Sequence, residues 1–431
     1  MKRTGQTGLF LFIPALLASL PAVSAQDTQP TTRDLLDEFD QRLVELDRKY
    51  DDGHGPLVVR ADRRDGLRME TADGTSHIRI GGQIQSDAAW FCDKDASVGE
   101  LEDKIECRRA RLFVSGVIRE NVVFEVEYDF AGGDPDFEDV YLGIRHLPVI
   151  GHVRVGHFKE PLSIEELISN NHTTFMERSL ANVFAPSRNH GLMIYDTAFA
   201  DRATWAVGVF RETDDFSDCS GDTDCSYTGR ITCLPWYRDD GARLLHLGAA
   251  YSRRSPNNRL LSYGQRPESH LAPDFVDTGQ FQARRADLIG LETALVHGPL
   301  TLQGEYIQNI VDAINSRDVC FQAFYIQAAW FLTGETRPYD RETGVFDRLI
   351  PKKSFCCPNG QRGFGAWEIA ARYSYLDLDD GPIEGGRLSD LTLGLNWYLN
   401  PNARVMWNYV LADLAGDGDA GIFQIRLQID F

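Results

Sequence analysis

The basic residues of this chain are nearly all arginines: of 44 lysines and arginines, seven are lysine and 37 are arginine. A guanidinium presents a planar fork of N–H donors that fits two oxygens of a carboxylate or phosphate at once. Spaced along a wall, such groups capture and release anions; they make no bonds. Arg79, Arg109, Arg111, Arg154, Arg230 and Arg372 fall at the polar positions of segments that alternate apolar and polar residues. A period of two puts all six on the face opposite the oily one. Lys159 closes one such segment, and Arg178, Arg253, Arg254, Arg284 and Arg285 lie in the stretches between segments. Acids share the polar face: Glu125, Glu127, Asp129, Glu305 and Glu368 oppose an anion field. Other chemistry is weakly indicated. The histidines near the basic positions, His152, His157, His172 and His190, are separated by strand parity, so no metal site is expected. Gly416-Asp417-Gly418-Asp419 lacks the spaced ligands and terminal Glu of a calcium loop and reads as a turn. No Ser-His or Asp-His grouping suggests an enzyme, and no cofactor is implied.

The elements that position these residues are short strands. The last of them, Ile422–Phe431, sets Phe423, Ile425, Leu427, Ile429 and Phe431 against Gln424, Arg426, Gln428 and Asp430. A terminal Phe on an amphipathic strand is similar to the signal by which bacterial outer-membrane barrels are recognised for assembly. Sixteen segments of this kind cover 78–90, 109–118, 122–130, 138–145, 151–158, 190–197, 203–211, 227–234, 243–252, 286–297, 300–309, 321–332, 365–376, 389–399, 403–411 and 422–431. Each is near the ~9–11 residues that a tilted strand needs to cross a bilayer, and an even count suits a closed barrel. Aromatics near strand ends on the oily face, such as Trp90, Phe130, Trp330, Trp397 and Phe431, suit a membrane interface. Charges at mid-strand on the other face suit a water-filled interior. With Phe431 on the periplasmic side, the turns 119–121, 297–299 and 400–402 are short. The opposite linkers 91–108, 159–189, 212–226, 253–285 and 412–421 are long. The linker 333–364 breaks the rule: it falls on the short-turn side, so either the strand count is off by a pair or this turn folds into the lumen.

The 431 residues suffice for one large barrel, and the negative mean hydropathy excludes a bundle of membrane helices. A net charge of −20 argues against nucleic acid as a partner. Lys2 and Arg3 before the apolar run Leu9–Leu20, with Val23-Ser24-Ala25 at its end, read as a signal peptide over 1–25. Residues 26–56 read as a periplasmic linker and a short helix, and 57–431 as the barrel. Within 31–52, Leu36, Phe39, Leu43, Leu46 and Tyr50 form a heptad seam. Two to three heptads associate weakly alone, so this helix either supports an oligomer formed elsewhere or lies on the barrel or cell wall. The eight cysteines of an exported chain are expected as disulfide staples in loops. Cys92 and Cys107 bracket one loop and Cys219 and Cys225 lie in another; the pairing of Cys233, Cys320, Cys356 and Cys357 stays open.

Several stretches resemble the phosphate-selective porin O and P family of Gram-negative outer membranes. They are Arg108-Arg109-Ala110-Arg111-Leu112, Val153–Ser163, Phe331-Leu332-Thr333-Gly334-Glu335-Thr336-Arg337-Pro338-Tyr339-Asp340, Gly365-Ala366-Trp367-Glu368 and Leu393–Tyr398. The resemblance covers roughly 77–431. It implies an all-β fold: a sixteen-stranded antiparallel transmembrane β-barrel, usually trimeric, with inward-folded loops, here preceded by the short N-terminal helix. The inward loops would be 159–189, 253–285 and 333–364. Arg79, Arg109, Arg111, Arg154, Lys159, Arg178, Arg230, Arg284 and Arg372 would then line the pore and bind anions. One departure matters: tight phosphate binders of the family use several lysines at the constriction, and this chain offers only Lys159, Lys352 and Lys353.

The function expected is therefore an outer-membrane porin for passive diffusion of small hydrophilic solutes, with some preference for anions such as phosphate. Its partners are those solutes, outer-membrane lipid and two further copies of itself, with a cell-wall contact through 31–52. Two alternatives stand beside it: a structural barrel with a plugged lumen, and a barrel-borne surface hydrolase. Arginines paired with lumen acids would select little.

Overall fold

The structure is a computed structural model; it describes residues 57–62, 66–94, 101–133, 135–213, 224–314, 316–355 and 363–431, with Gln41 alone before them. The leader over 1–25 and, but for Gln41, the heptad stretch lie outside the described residues. Sixteen long strands run in chain order: β1 (His77–Lys94), β2 (Lys104–Ile118), β3 (Val122–Asp129), β4 (Asp136–Leu147), β5 (Gly151–Lys159), β6 (Arg188–Ala198), β7 (Ala203–Arg211) and β8 (Ser226–Arg238). Then follow β9 (Arg243–Arg254), β10 (Phe281–His297), β11 (Leu300–Ala313), β12 (Val319–Phe331), β13 (Ala366–Asp380), β14 (Ile383–Asn400), β15 (Ala403–Leu414) and β16 (Gly418–Asp430). Each pairs antiparallel with the next, and β16 returns to β1 with Asp430 opposite Gln83 and Ile422 opposite Phe91. The sheet has closed into a barrel, leaving no long edge for a water-starved environment to expose.

The two faces are inverted relative to a soluble protein. On β16, Phe423, Leu427 and Ile429 are exposed, while Gln424, Arg426 and Gln428 are buried, Arg426 wholly so. Ile84 and Trp90 on β1, Leu112 on β2 and Leu142 on β4 stand outside likewise. The oily side chains face lipid and the charged ones face inward. At the rim the indoles of Trp367, Trp397 and Trp407 stack in a row, with centroids 5.2 and 6.3 Å apart. Such rings suit the headgroup level.

The closing seam depends on two glycines. Phe431 donates its N–H to the Gly82 carbonyl and accepts from the Gly82 N–H, both at 2.9 Å. A Cβ on Gly81 would lie 2.3 Å from the Phe431 carbonyl oxygen. Below the seam, the hairpin Val58–Asp62/Gly66–Glu70 pairs Leu67 with Ile80 and Glu70 with His77, continuing the sheet where β16 has run out. Gly81→Val is expected to lose the heat-resistant folded band on gels, because the clash is with backbone and exceeds the about 1–3 kcal/mol of ordinary overpacking.

The long inner linker is real, and the strand count stands. Residues 332–365, here T6, join β12 to β13 on the side of the short turns, and the described part turns into the barrel. Three expectations need correction. The stretch 412–421 is no long loop: β15 and β16 continue to a turn at 415–417. Among the described residues no disulfide forms: Cys92, Cys107, Cys225, Cys233 and Cys320 stand as thiols. Cys107 stands opposite Ser86, six residues and roughly 20 Å along β1 from Cys92, too far for a bridge. Cys219, Cys356 and Cys357 lie outside the described residues. Finally, Arg284 and Arg285 belong to β10, which starts five residues earlier than its alternation suggested.

Candidate functional site: the pore and its two vestibules

Two loops and T6 fill the lumen in part. L3 (residues 160–187, between β5 and β6) starts with one helical turn, α1 (Ile164–Leu167), capped by Ser163, whose hydroxyl accepts from the Glu166 N–H at 3.1 Å. Its second half, Leu180–Phe184, joins Phe275 and Val276 of L5 (255–280, between β9 and β10) against Leu288, Ile307, Phe321, Leu376 and Val410. The inward face of that wall is therefore apolar in its outer half, and burial of these side chains holds both loops inside the barrel.

Arginines of the wall pin the loops. Arg372 donates to Glu268 of L5 at 2.9 Å, to Glu165 of L3 at 2.8 Å and to the Glu177 carbonyl at 2.8 Å, and its guanidinium lies 4.4 Å from the Phe175 ring. Arg426 holds Asp87 and Glu177, both at 2.6 Å, and Arg108 grips Glu177 through two N–H groups. Burial alone would raise the Glu177 carboxyl, but Arg108, Arg426 and Arg109 outweigh it and hold Glu177 well below the usual carboxylate range. Burial likewise pushes Glu166 up, and Arg178 and then Lys159 bring it below its ordinary value. Both latches are therefore complete above about pH 4.5 and fail only as pH falls further, toward the depressed values.

T6 approaches from the other end. Its small hairpin, Tyr339–Asp340/Val345–Phe346, packs on Ile164, Ile168, Leu234 and Val296. Arg230 donates to the Thr343 and Gly344 carbonyls, and the Tyr339 hydroxyl meets His246 Nδ1 at 2.6 Å. Arg337 ties T6 to L3 through Thr174 Oγ1 at 2.5 Å and the His172 carbonyl at 3.1 Å.

What remains open is an outer vestibule of about 340 Å³ and an inner one of about 580 Å³. Asn170 of L3 lines both. The outer vestibule carries Arg108, Arg109, Arg178 and Arg266 with Glu177, Glu268 and Asp274. The inner one carries Arg79, Arg111, Arg154, Lys159, Arg188, Arg230 and Arg348 against Glu125, Glu127, Asp139, Asp196, Glu342, Asp347 and Asp430. Bases and acids are nearly balanced.

The expected pore residues separate accordingly. Arg79, Arg111, Arg154, Lys159 and Arg230 gather around the inner vestibule, and Arg109 and Arg178 around the outer one. Most are tied. Arg111 pairs with Asp129 at 2.7 Å and with Glu138; Arg230 pairs with Glu292 at 2.7 Å. Lys159 donates to the Glu166 carbonyl and lies 3.5 Å from the Glu166 carboxylate, and Arg178 caps L3 carbonyls, so both staple the loop. Arg372 is sealed under L3 and L5, lining neither vestibule. Arg284 is exposed at the barrel's outer rim, paired with Asp312 at 2.7 Å; a bulge between Ala283 and Arg285 breaks the parity there. Lys352 binds the Gly334 carbonyl. Among the described residues, Arg109 and Arg154 of the expected set have no carboxylate within ion-pair distance, and the Arg79 Cζ lies 5.0 Å from the Phe113 ring centroid. Arg109 donates to Gln85 at 2.8 Å, and Arg154 stacks on Tyr141 at 4.0 Å. Sequence reading passed over Arg188, Arg337, Arg404 and Arg426; the alternation of β15 and β16 already marked the last two as inward.

Residues 78–431 match the profile described as phosphate-selective porin O and P. The chain belongs to that family. This porin is 25% identical to Porin O of Pseudomonas aeruginosa over 411 residues, 85% of this chain and 91% of that protein. It is 28% identical to an uncharacterized protein of Caulobacter vibrioides, covering 83% of this chain and 75% of the relative. The anion-selective porin from Comamonas acidovorans has the same fold, with a TM-score of 0.53 at 13% identity over 83% of this chain and all of that one. The porin's barrel, its inward loops and its vestibules are those of an outer-membrane diffusion channel.

His172 makes one junction of the porin sensitive to pH. It lies 3.5 Å from Asp347 of T6, yet burial first, and then Arg348, Arg404 and Arg337, push its pKa well below the ordinary 6.5. The arginines and desolvation outweigh the half-exposed Asp347. The unfolded chain takes up this proton near pH 6.5 and the folded one does not, so nothing is lost above 6.5. Below it, the junction weakens by up to about 1.4 kcal/mol per pH unit. Open-channel noise is expected to rise between pH 7 and pH 5, and His172→Gln to remove that rise.

Proposed function

We propose that this porin passes small hydrophilic solutes with a modest anion preference and holds no tight phosphate site. The observation that carries the reading is the charge balance of the vestibules, in which, among the described residues, Arg109 of the outer and Arg154 of the inner have no carboxylate within ion-pair distance. A lumen where acids stand against the bases in nearly equal number presents little net field to a passing ion, even though narrow walls limit screening. The names of Porin O's family and of the Comamonas porin support an anion preference. The scarcity of lysines at the junction speaks against phosphate specificity. Assembly as a homotrimer, export by the signal peptide and a periplasmic role for residues 31–52 belong to the same reading, as does the absence of any covalent chemistry.

The test is the reversal potential of the channel under a potassium chloride gradient, with phosphate titrated as a blocker and a test ester and peptide assayed in parallel. The reading expects chloride to carry somewhat more current than potassium, phosphate to block only at millimolar concentration, and no hydrolysis. Current carried mainly by potassium, or block by micromolar phosphate, would overturn it.

A further inference from the structure

The inner vestibule holds a feature that a route for small hydrated ions does not need. Arg154 projects from β5 onto aromatic surface: its guanidinium carbon lies 4.0 Å from the centroid of Tyr141 and 5.4 Å from those of Phe158 and Tyr195. The site is built by the register. Gly143 stands opposite Arg154 and Gly156 opposite Tyr141, so neither side chain meets another across the β4–β5 pair, while on their other sides Arg154 faces Met193 and Tyr141 faces Glu125. Gly156 is at φ +135°, and a Cβ there would lie 2.4 Å from the Val140 carbonyl. Phe158, Met193 and Phe210 form the apolar floor beneath. The Tyr141 hydroxyl donates to Glu125 at 2.8 Å, which fixes the ring. Among the described residues, the buried Arg154 Nε–H meets no acceptor. Glu125 and Asp139 act on the guanidinium electrostatically without pairing with it.

We propose that this box binds a monoanionic carboxylate carried on a flat aromatic ring. A guanidinium stacked on a ring keeps its N–H donors in its own plane, where a carboxylate can accept two of them. Phe113, Tyr141, Met193, Tyr195 and Trp205 line the same cavity and offer apolar surface to the body of such a molecule. Its volume of about 580 Å³ is ample for a single ring. Inorganic phosphate would use the donors and none of the rings, and as a dianion it would be repelled by Glu125 and Asp139. The inference rests on the porin reading and names the solute class that this vestibule favours.

The experiment is block of chloride current through the intact porin in planar bilayers by benzoate, by acetate and by inorganic phosphate, each added to either side. Benzoate is expected to block at a concentration at least tenfold below acetate and phosphate, more readily from the periplasmic side, where the cavity opens. Arg154→Met should abolish the block, and Tyr195→Leu should weaken it toward that by acetate. Equal block by benzoate and acetate in the unmodified porin overturns the inference with no variant needed, as does block by phosphate as strong as that by benzoate. Loss of chloride current altogether would be a failure of the porin reading itself, and this inference would fall with it.

Discussion

A porin lacking residues 337–349, with the gap closed by a short Gly-Ser linker, is expected to conduct severalfold more current with its ion selectivity unchanged. The segment carries the hairpin that reaches into the inner half of the barrel and packs on Ile164, Ile168 and Val296. It also carries Arg337, Arg341 and Arg348 together with Asp340, Glu342 and Asp347, three charges of each sign. Removing it widens the channel and leaves the charge balance as it was, so conductance and selectivity separate in one variant. L3 loses the contacts of Arg337 to Thr174 and the His172 carbonyl but keeps those of Arg372, Arg404 and Arg426. Single-channel recording checks this; unchanged conductance would mean that T6 does not obstruct the path.

Arg372→Met is expected to release L3 and L5 together. This guanidinium lies between Glu268 and Glu165, which come from different loops and are both buried. Removing one partner of a buried pair costs about 3–5 kcal/mol, because the remaining charge is stranded. Here two carboxylates are stranded. Water entry beneath the loops relieves them, at the expense of the packing of Leu180 and Phe184 on Phe321. The recording should show larger, noisy openings, and the loops should become sensitive to protease while the wall survives. Adding Glu165→Gln and Glu268→Gln should restore much of the quiet current, since a site with no unpaired charge is far less costly than one with half a network. A quiet channel in the single variant would show that apolar packing suffices to hold the loops.

The barrel was legible because period-two alternation is a strong signal where one face meets lipid and the other water, as at Phe423–Phe431. It fades where both faces are apolar. Leu288 and Ile289 on β10 are adjacent oily residues, one under the loops and one in lipid, and only the folded chain separates them. Parity located Arg109, Arg111, Arg154, Arg230 and Arg372 on the inner face. It could not say which of them still face solute, because their acids arrive from loops. Arg372 meets partners 104 and 207 residues away, and no local pattern encodes such a pairing. Arg284 was misplaced because the stretch before 286 read as an inward loop, whereas the strand already starts at Phe281 and a bulge beside Arg284 sets it on the rim; bulges leave little trace in sequence. Disulfides were expected from compartment and count, but the long β1 and β2 carry Cys92 and Cys107 to different heights on the outer wall.

Transport through this barrel requires a continuous water path between the two vestibules past Asn170. Purified protein that migrates as a folded, heat-modifiable barrel should be inserted into planar bilayers and its current recorded at fixed voltages. Discrete steps of equal size, linear in voltage, are the predicted result. Folded protein that inserts and yet stays silent at every voltage would contradict the account.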